Sequence, residues 1–476
     1  MQDVADIAKR RCCWPQMLCG LFLFAWLGMS AGCSSLPQVN AETVTVSTGT
    51  ARMAGAHGPL TSSQSKAILA GLSSRSEETG IFERHLAVEE AIVGSPLMVS
   101  NRATLFQDGE TTYTAMFKAI AAARDHIHME TYIFEDDEVG RKFAEALIDK
   151  QKQGVDVALI YDSVGSLKTP TEFFQHLKDN GVHTLEFNPV NPLVAKKGWD
   201  INQRDHRKLL IVDGQSAFLG GVNISSVYES GSAGSGPSGK KEKDKNNVPW
   251  RDTHLLLEGP VVAEFQKMFL DTWSKQKGEP LPEKKYFPPA LQKGREVVRA
   301  IASSSDEGGG QMYNTLLSVI GSAETSAYFT MAYFAPDEQI MKAFREAVAP
   351  GVDVRIILPA KTDSALIFYA GRSYYTELLK SGVKVYERKI ALLHAKTALI
   401  DGVWTTIGST NLDWRSFLHN DEINAVVLSP EFGAQMNAMF EKDQAASNQI
   451  TLESWGQRGV VMRVKEQAAR LWAYWL

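Results

Sequence analysis

The chain has 476 residues, with 50 Lys and Arg against 55 Asp and Glu, a formal net charge of −5. Hydrophobic residues make up 44% and charged residues 22%, ordinary globular values that exclude a disordered or fibrous protein. No run of about 18 or more apolar residues occurs, which argues against a polytopic membrane protein, and the negative charge argues against a general nucleic-acid binder.

The four cysteines, Cys12, Cys13, Cys19 and Cys33, all lie at the start of the chain. From Ser34 onward disulfides, cysteine zinc sites and cysteine nucleophiles are therefore excluded. The cluster Lys9-Arg10-Arg11, the apolar run Met17–Met29 and Ser30-Ala31-Gly32-Cys33 read as the three parts of a secretory signal. The ending resembles a bacterial lipobox, with Ser30 where Leu is preferred. That resemblance implies lipidation of Cys33, and Ser34 behind it implies sorting to the outer membrane. The protein is then membrane-associated on the periplasmic side. An uncleaved signal anchor and a buried N-terminal helix are the alternatives. Residues 34–65, rich in Ser, Thr, Ala and Gly, read as a tether, with a helical stretch over 64–92 and organised structure from Leu97.

The remainder repeats itself. His126–Phe134, a helical pattern and Gly154–Tyr161 reappear as Ala327–Phe334, a helical pattern and Gly351–Leu358. Val139, Phe143, Ala146 and Leu147 keep the phase of Ile340, Phe344, Ala347 and Val348. A further helix (170–180; 372–381) leads to a short strand, His183–Phe187 or Val383–Tyr386. The organisation is thus a signal segment (1–33), a tether and N-terminal helix (34–95), and two α/β halves (96–290 and 291–476). Each half is a mixed sheet flanked by helices. The duplication predicts a pseudo-two-fold with a site at the shared interface.

Each half carries one motif at one spacing. His206-Arg-Lys208, Asp213 and Gly220-Gly221-Val-Asn223 match His394-Ala-Lys396, Asp401 and Gly408-Ser409-Thr-Asn411. One such match is expected by chance in roughly one of 100,000 chains this long, so two in register are not chance. His and Lys two apart on a strand share a face. Asp213-Gly214 and Asp401-Gly402 are turn dipeptides, so a hairpin brings the Asn back beside the His-Lys pair. Gly220, Gly221, Gly408 and Ser409 permit close approach. Asp213 and Asp401 read as turn residues. This set suits a phosphodiester. One neutral His attacks phosphorus, the other protonates the leaving alcohol, and Lys and Asn steady the phosphoryl oxygens. The chemistry calls for no metal or cofactor. Each imidazole needs an orienting carboxylate. Asp252, in Trp250-Arg-Asp-Thr-His254, and Glu422, in His419-Asn-Asp-Glu422, are the choices.

The paired pattern resembles the phospholipase D superfamily over about 97–476. Several strings look like bacterial cardiolipin synthases, among them Glu130-Thr-Tyr-Ile-Phe134, Arg204-Asp-His-Arg-Lys208, Leu392-Leu-His-Ala-Lys-Thr397 and Asn411-Leu-Asp-Trp-Arg-Ser416. The resemblance implies transfer of a phosphatidyl group between two phosphatidylglycerol molecules, with His206 as nucleophile and His394 as general acid and base. The departure is that integral-membrane members carry N-terminal transmembrane helices. Hydrolysis at the same site, a nucleic-acid phosphodiesterase and a non-catalytic lipid-binding tether are the rivals. Phospholipids and a membrane are the expected partners, with no nucleic acid and no obligatory dimer.

Glu130 is placed as a candidate for the site floor. His126 and His128, which alternate with it, read as core or floor residues rather than zinc ligands. The insertion Ser230–Asn247 reads as a surface loop or a headgroup contact. Lys196, Lys197 and Arg204 read as headgroup contacts or solvated surface. The C-terminal set Val461, Val464, Ala468, Leu471, Trp472 and Trp475 has helical spacing. It suits docking on the second half or contact with a membrane interface.

Overall fold

The computed structural model describes Leu36 and residues 51–75, 80–191, 200, 202–229, 250–304 and 310–475. Cys33 with the signal segment, Lys196, Lys197 and the insertion 230–249 lie outside the described residues.

In the first half the main strands are β1 (Leu97–Phe106), β2 (His126–Thr131), β3 (Asp156–Asp162), β4 (His183–Phe187), β5 (Lys208–Val212), β6 (Ser216–Gly220) and β7 (His254–Glu258). In the second they are β8 (Glu296–Ser303), β9 (Ser326–Met331), β10 (Asp353–Pro359), β11 (Lys384–Arg388), β12 (Lys396–Ile400), β13 (Trp404–Gly408) and β14 (Asn420–Leu428). Across the sheet the first half runs β4-β3-β2-β5-β6-β7-β1. The second runs β11-β10-β9-β12-β13-β14-β8. In each half the three strands at one end are parallel and the rest antiparallel. The halves meet where β1 pairs antiparallel with β8, Met98 opposite Val298. One continuous mixed sheet thus carries the duplication through that seam.

Both crossover helices start on the same device. Asp137 and Asp337 accept hydrogen bonds from the backbone N–H groups of Gly140 (2.9 Å) and Ile340 (3.1 Å), capping Glu138–Lys152 and Glu338–Val348. Strand alternation then divides the core. Leu210 and Val212 pack under the outer helices, while Leu209 and Ile211 face an inner core shared by both halves. That inner core includes Phe265 and Phe269 of Val262–Lys275 and Met436 and Met439 of Pro430–Ala445.

The motif aspartates fasten the hairpins. Asp213 and Asp401 both have left-handed backbone, φ 53° and 49°. The Asp213 carboxylate accepts from the N–H groups of Arg124 (2.9 Å), Asp125 (2.8 Å) and His126 (3.0 Å). Asp401 does the same for Glu324 (3.0 Å), Thr325 (2.8 Å) and Ser326 (3.0 Å). Each ties the turn to the start of the neighbouring strand, β2 or β9, which runs antiparallel to the strand entering the turn. Asp213→Ala strands three donors, two of them half-buried, so it is expected to destabilise the fold by about 1–3 kcal/mol. Denaturant unfolding should show this loss while kcat per folded molecule stays unchanged.

Four expectations need correction. The tether reading fails at its C-terminal end. Met53–Gly55 and Gly58–Pro59 form a hairpin whose first strand runs parallel to β1, Met53 opposite Leu97. The helical stretch is two helices, Ser62–Ser73, with a capping box at Thr61, and Ile81–Ile92. The C-terminal helix Val460–Arg470 does dock on the second half, but through Glu466 and Ala469 rather than the apolar set. Arg204 is buried: its guanidinium donates to Ser163 Oγ (2.9 Å) and stands 3.7 Å from Asp162, so it does not face solvent or lipid.

Candidate active site

The two His-Lys strands are crossed by the opposite halves. Before His206, Arg204–Asp205 pairs parallel with Asn420–Asp421, and the His206 N–H donates to the Asp421 carbonyl at 2.9 Å. Before His394, Leu392–Leu393 pairs parallel with Trp250–Arg251, and the His394 N–H donates to the Arg251 carbonyl at 2.8 Å. Each histidine is therefore held by the strand that carries the other half's carboxylate. His206 Nδ1 lies 3.0 and 3.1 Å from the two oxygens of Glu422. His394 Nδ1 lies 2.7 Å from Asp252 Oδ2. Asp252 Oδ1 also accepts from the Thr253 N–H (2.7 Å), and Glu422 Oε1 accepts from Asn420 Nδ2 (3.1 Å). This leaves Nε2 of His206 to the substrate side, whereas Nε2 of His394 also has the Lys396 ammonium beside it.

His206 and His394 share one cavity of about 320 Å³ that draws its lining from both halves, with Asn223, Tyr132 and Trp250 from the first and Asn411, Tyr333 and Arg415 from the second. Lys208 and Lys396 are buried beside the two histidines. Each ammonium donates to the carbonyl of its own motif histidine, and Lys396 Nζ stands 3.0 Å from His394 Nε2. Asn223 donates to Tyr228 OH (2.8 Å) and accepts from the Ile133 N–H (3.2 Å). Asn411, by contrast, has a buried side-chain oxygen with no partner among the described residues.

Close approach is enforced by small residues. A Cβ on Gly221 would stand 2.0 Å from Asp252 Oδ1, so only glycine admits that carboxylate. A Cβ on Gly220 or Gly408 would meet the backbone carbonyl of Thr253 (2.5 Å) or Ile423 (2.3 Å). Ser409 occupies the place of Gly221 and brackets Ile423, accepting from its N–H at 2.9 Å.

Electrostatics differ between the two imidazoles. Burial, with Lys208 and Lys396 nearby, drives His206 well below the usual imidazole range. Burial and Lys396 also lower His394, against the opposing charge and hydrogen bond of Asp252. Burial alone would raise Asp252, but the charge and hydrogen bond of His394 and the charge of Lys396 outweigh it and hold the carboxyl below its usual value. Burial raises Glu422, with Lys208 opposing. Burial, and for Lys208 the neighbouring Lys396, brings Lys208 down to about 7 and Lys396 to about 8.

Glu130 does not line the cavity. Register places Thr131 opposite Lys208 and Glu130 opposite Leu209, so Glu130 projects from the other face, where it lies 3.5 Å from Arg207. His126 and His128 are buried and share Gln266 (3.1 and 2.6 Å). Sequence reasoning missed the aromatic walls: Tyr132 edges onto His206, with ring centroids 5.2 Å apart, and Trp250 leans on His394 at 5.1 Å. It also missed Asp363, Asp413 and Arg415. Arg415 and Asp413 stand inside the string beginning at Asn411, which was the available signal; Asp363 carries none.

Two α/β halves that together hold a His-Lys-Asn set on each side of one cavity define a phosphodiester-transfer enzyme of the phospholipase D type. A family profile described as "Cardiolipin synthase, PLD-like domain" matches residues 116–232 and 316–444. Cardiolipin synthases of Geobacillus sp. (strain WCH70) and Halalkalibacterium halodurans are each 36% identical, over 81% and 80% of this chain and 74% and 73% of theirs. The crystal structure of a phosphatidylserine synthase from Haemophilus influenzae shares the fold, with a TM-score of 0.55 at 14% identity, covering 79% of this chain and 95% of that one. The chain belongs to the cardiolipin synthase family of the phospholipase D superfamily, and it is a phospholipid transphosphatidylase.

Proposed function

We propose that the enzyme moves a phosphatidyl group from one phosphatidylglycerol to the glycerol hydroxyl of another, through a phospho-His206 intermediate, releasing glycerol. The crossed arrangement of the two histidines carries this reading. His206 Nε2 attacks phosphorus while the glycerol oxygen leaves on the far side, taking a proton from His394 Nε2. The second phosphatidylglycerol then gives its hydroxyl proton to His394 and attacks phosphorus, and the phosphorus–nitrogen bond breaks. Lys208, Lys396 and Asn411 offset charge on the equatorial oxygens, and Asn223 fixes Tyr228 against the His394 side.

The asymmetry of the site supports this division of labour. His206 is the more strongly disfavoured as a cation and so is ready to attack. His394 has the closer, ionised carboxylate, which favours it as the proton carrier once an anionic phosphodiester sits beside it. A cavity of about 320 Å³ accommodates a headgroup and its phosphate. Membrane attachment on the periplasmic side through a lipid on Cys33, in the outer membrane, is part of the same proposal and rests on the lipobox-like segment alone. Incubation with phosphatidylglycerol, with products resolved by mass, tests the reaction. Cardiolipin and glycerol in equal amounts are expected; phosphatidic acid in place of cardiolipin would make the enzyme a hydrolase.

The lysines set an alkaline limit. Both must carry charge to hold the phosphate, and their folded values are lowered to about 7 and about 8. The charged form is therefore lost as pH rises through that window. kcat/KM is expected to fall above about pH 7–8. Lys208→Arg, which cannot lose its proton, should move the alkaline limb upward; an unmoved limb would assign it to another group.

A further inference from the structure

The helix Val460–Arg470 docks by one face and leaves a second apolar face open. Glu466 and Ala469, and Ala473 beyond the helix, are buried at helical spacing, and the helix packs on Ala365–Ser373. Buried Glu466 accepts from Arg458 Nε at 2.9 Å, which fixes the docked side. Val461, Val464, Leu471 and Trp472 are 70%, 61%, 83% and 48% exposed. At about 100° per residue, Val464 stands about 160° round the helix from Glu466, while Arg463 and Lys465 fall about 100° to either side of Val464. The open face is thus an apolar stripe bordered by cations.

Its position relative to the cavity points to what it meets. Trp475, at the end of the stripe, lines the cavity that holds His206 and His394. Leu366, 42% exposed, stands between Ser364 and Ile367, which also line it. Leu167 (68%) and Ile390 (51%) are exposed in the loops that follow β3 and β11. Those loops leave the same ends of the parallel strands as the cavity-lining residues after β2, β9 and β10. The cavity takes a headgroup but not two acyl chains, so the chains of a bound phospholipid must leave by this mouth.

We propose that the Val461–Trp475 face docks in the interfacial layer of an anionic phospholipid bilayer and sets the cavity mouth over the headgroups. The apolar stripe enters the acyl boundary, and Arg463 and Lys465 reach anionic phosphates at its edges. The inference rests on the cavity being the phospholipid site, and its test separates the two.

The test uses the full chain with Cys12, Cys13, Cys19 and Cys33 replaced by Ser and Leu471→Cys labelled with a polarity-sensitive fluorophore. Vesicles of phosphatidylglycerol and phosphatidylcholine are expected to shift the emission to the blue, whereas a label at Lys267→Cys stays unshifted. Emission at 471 unchanged at saturating vesicles would overturn the proposal, as would a shift that follows protein concentration without lipid and so reports a second copy of the chain. Separately, Val464→Glu with Leu471→Glu is expected to lower turnover of vesicle-borne phosphatidylglycerol by about tenfold or more and leave turnover of monomeric short-chain phosphatidylglycerol intact. Equal loss on both substrates would show a structural role and overturn the docking. A parent enzyme inactive on both lipids but blue-shifted on vesicles would sink the reaction and keep the docking.

Discussion

His206→Ala is expected to lower turnover by roughly 10⁵-fold or more, and no choice of substrate should rescue it. The imidazole is the only group in the proposal that bonds to phosphorus, and its Nδ1 is committed to Glu422 at 3.0 Å, which leaves Nε2 for the attack. His394→Ala should behave differently. With phosphatidylglycerol as donor the loss is roughly 10²–10⁴-fold, because the glycerol oxygen then leaves without a proton. With a phosphatidyl-p-nitrophenol donor, whose leaving group needs no proton, the first step should survive. That variant is expected to give one equivalent of nitrophenol per enzyme and then stall, since nothing deprotonates the acceptor. Stopped-flow absorbance measures the burst. A burst from His206→Ala and none from His394→Ala would reverse the two roles.

The crossed carboxylates give the second large effect. Asp252→Asn and Glu422→Gln are each expected to cost about 10³–10⁴-fold in kcat, the loss typical when a buried carboxylate no longer fixes an imidazole. Their leaving-group dependence should be opposite to what position along the chain suggests. Asp252 lies in the first half but serves His394, so Asp252→Asn should be relieved by the nitrophenyl donor. Glu422 lies in the second half but serves His206, so Glu422→Gln should not. Gly221→Ala, whose Cβ would stand 2.0 Å from Asp252 Oδ1, should follow Asp252→Asn in weaker form, about 10²-fold. Circular dichroism and unfolding midpoints separate these losses from misfolding. Should both carboxylate variants respond alike to the leaving group, the crossing would have no role in the chemistry.

Much of this arrangement was legible in the sequence because it follows from local geometry. A strand, a two-residue turn and a returning strand fix where His, Lys and Asn fall, and both halves obey the same spacing. The repeat of strand, amphipathic helix in one apolar phase and buried parallel strand gave the two halves. The crossing was not legible. It depends on the pairing of Arg204–Asp205 with Asn420–Asp421 and of Trp250–Arg251 with Leu392–Leu393, contacts between segments far apart in the chain with no periodic signal of their own. Glu130 was misplaced because its face is set by a one-residue register against β5, which spacing alone does not reveal. The hairpin at Met53–Pro59 was hidden by a composition typical of linkers. Its strands are two and three residues long and are held by β1 rather than by their own pattern.

The central claim is that one site, assembled from both halves, works through a covalent bond from His206 to phosphorus. The most direct test is to mix His394→Ala enzyme with phosphatidyl-p-nitrophenol, quench at alkaline pH where phospho-histidine survives, digest, and map the adduct by mass spectrometry. A phosphatidyl adduct on the peptide carrying His206, in proportion to the nitrophenol released, is the predicted result. A full nitrophenol burst with the adduct on another residue, or with no adduct at all, would contradict it.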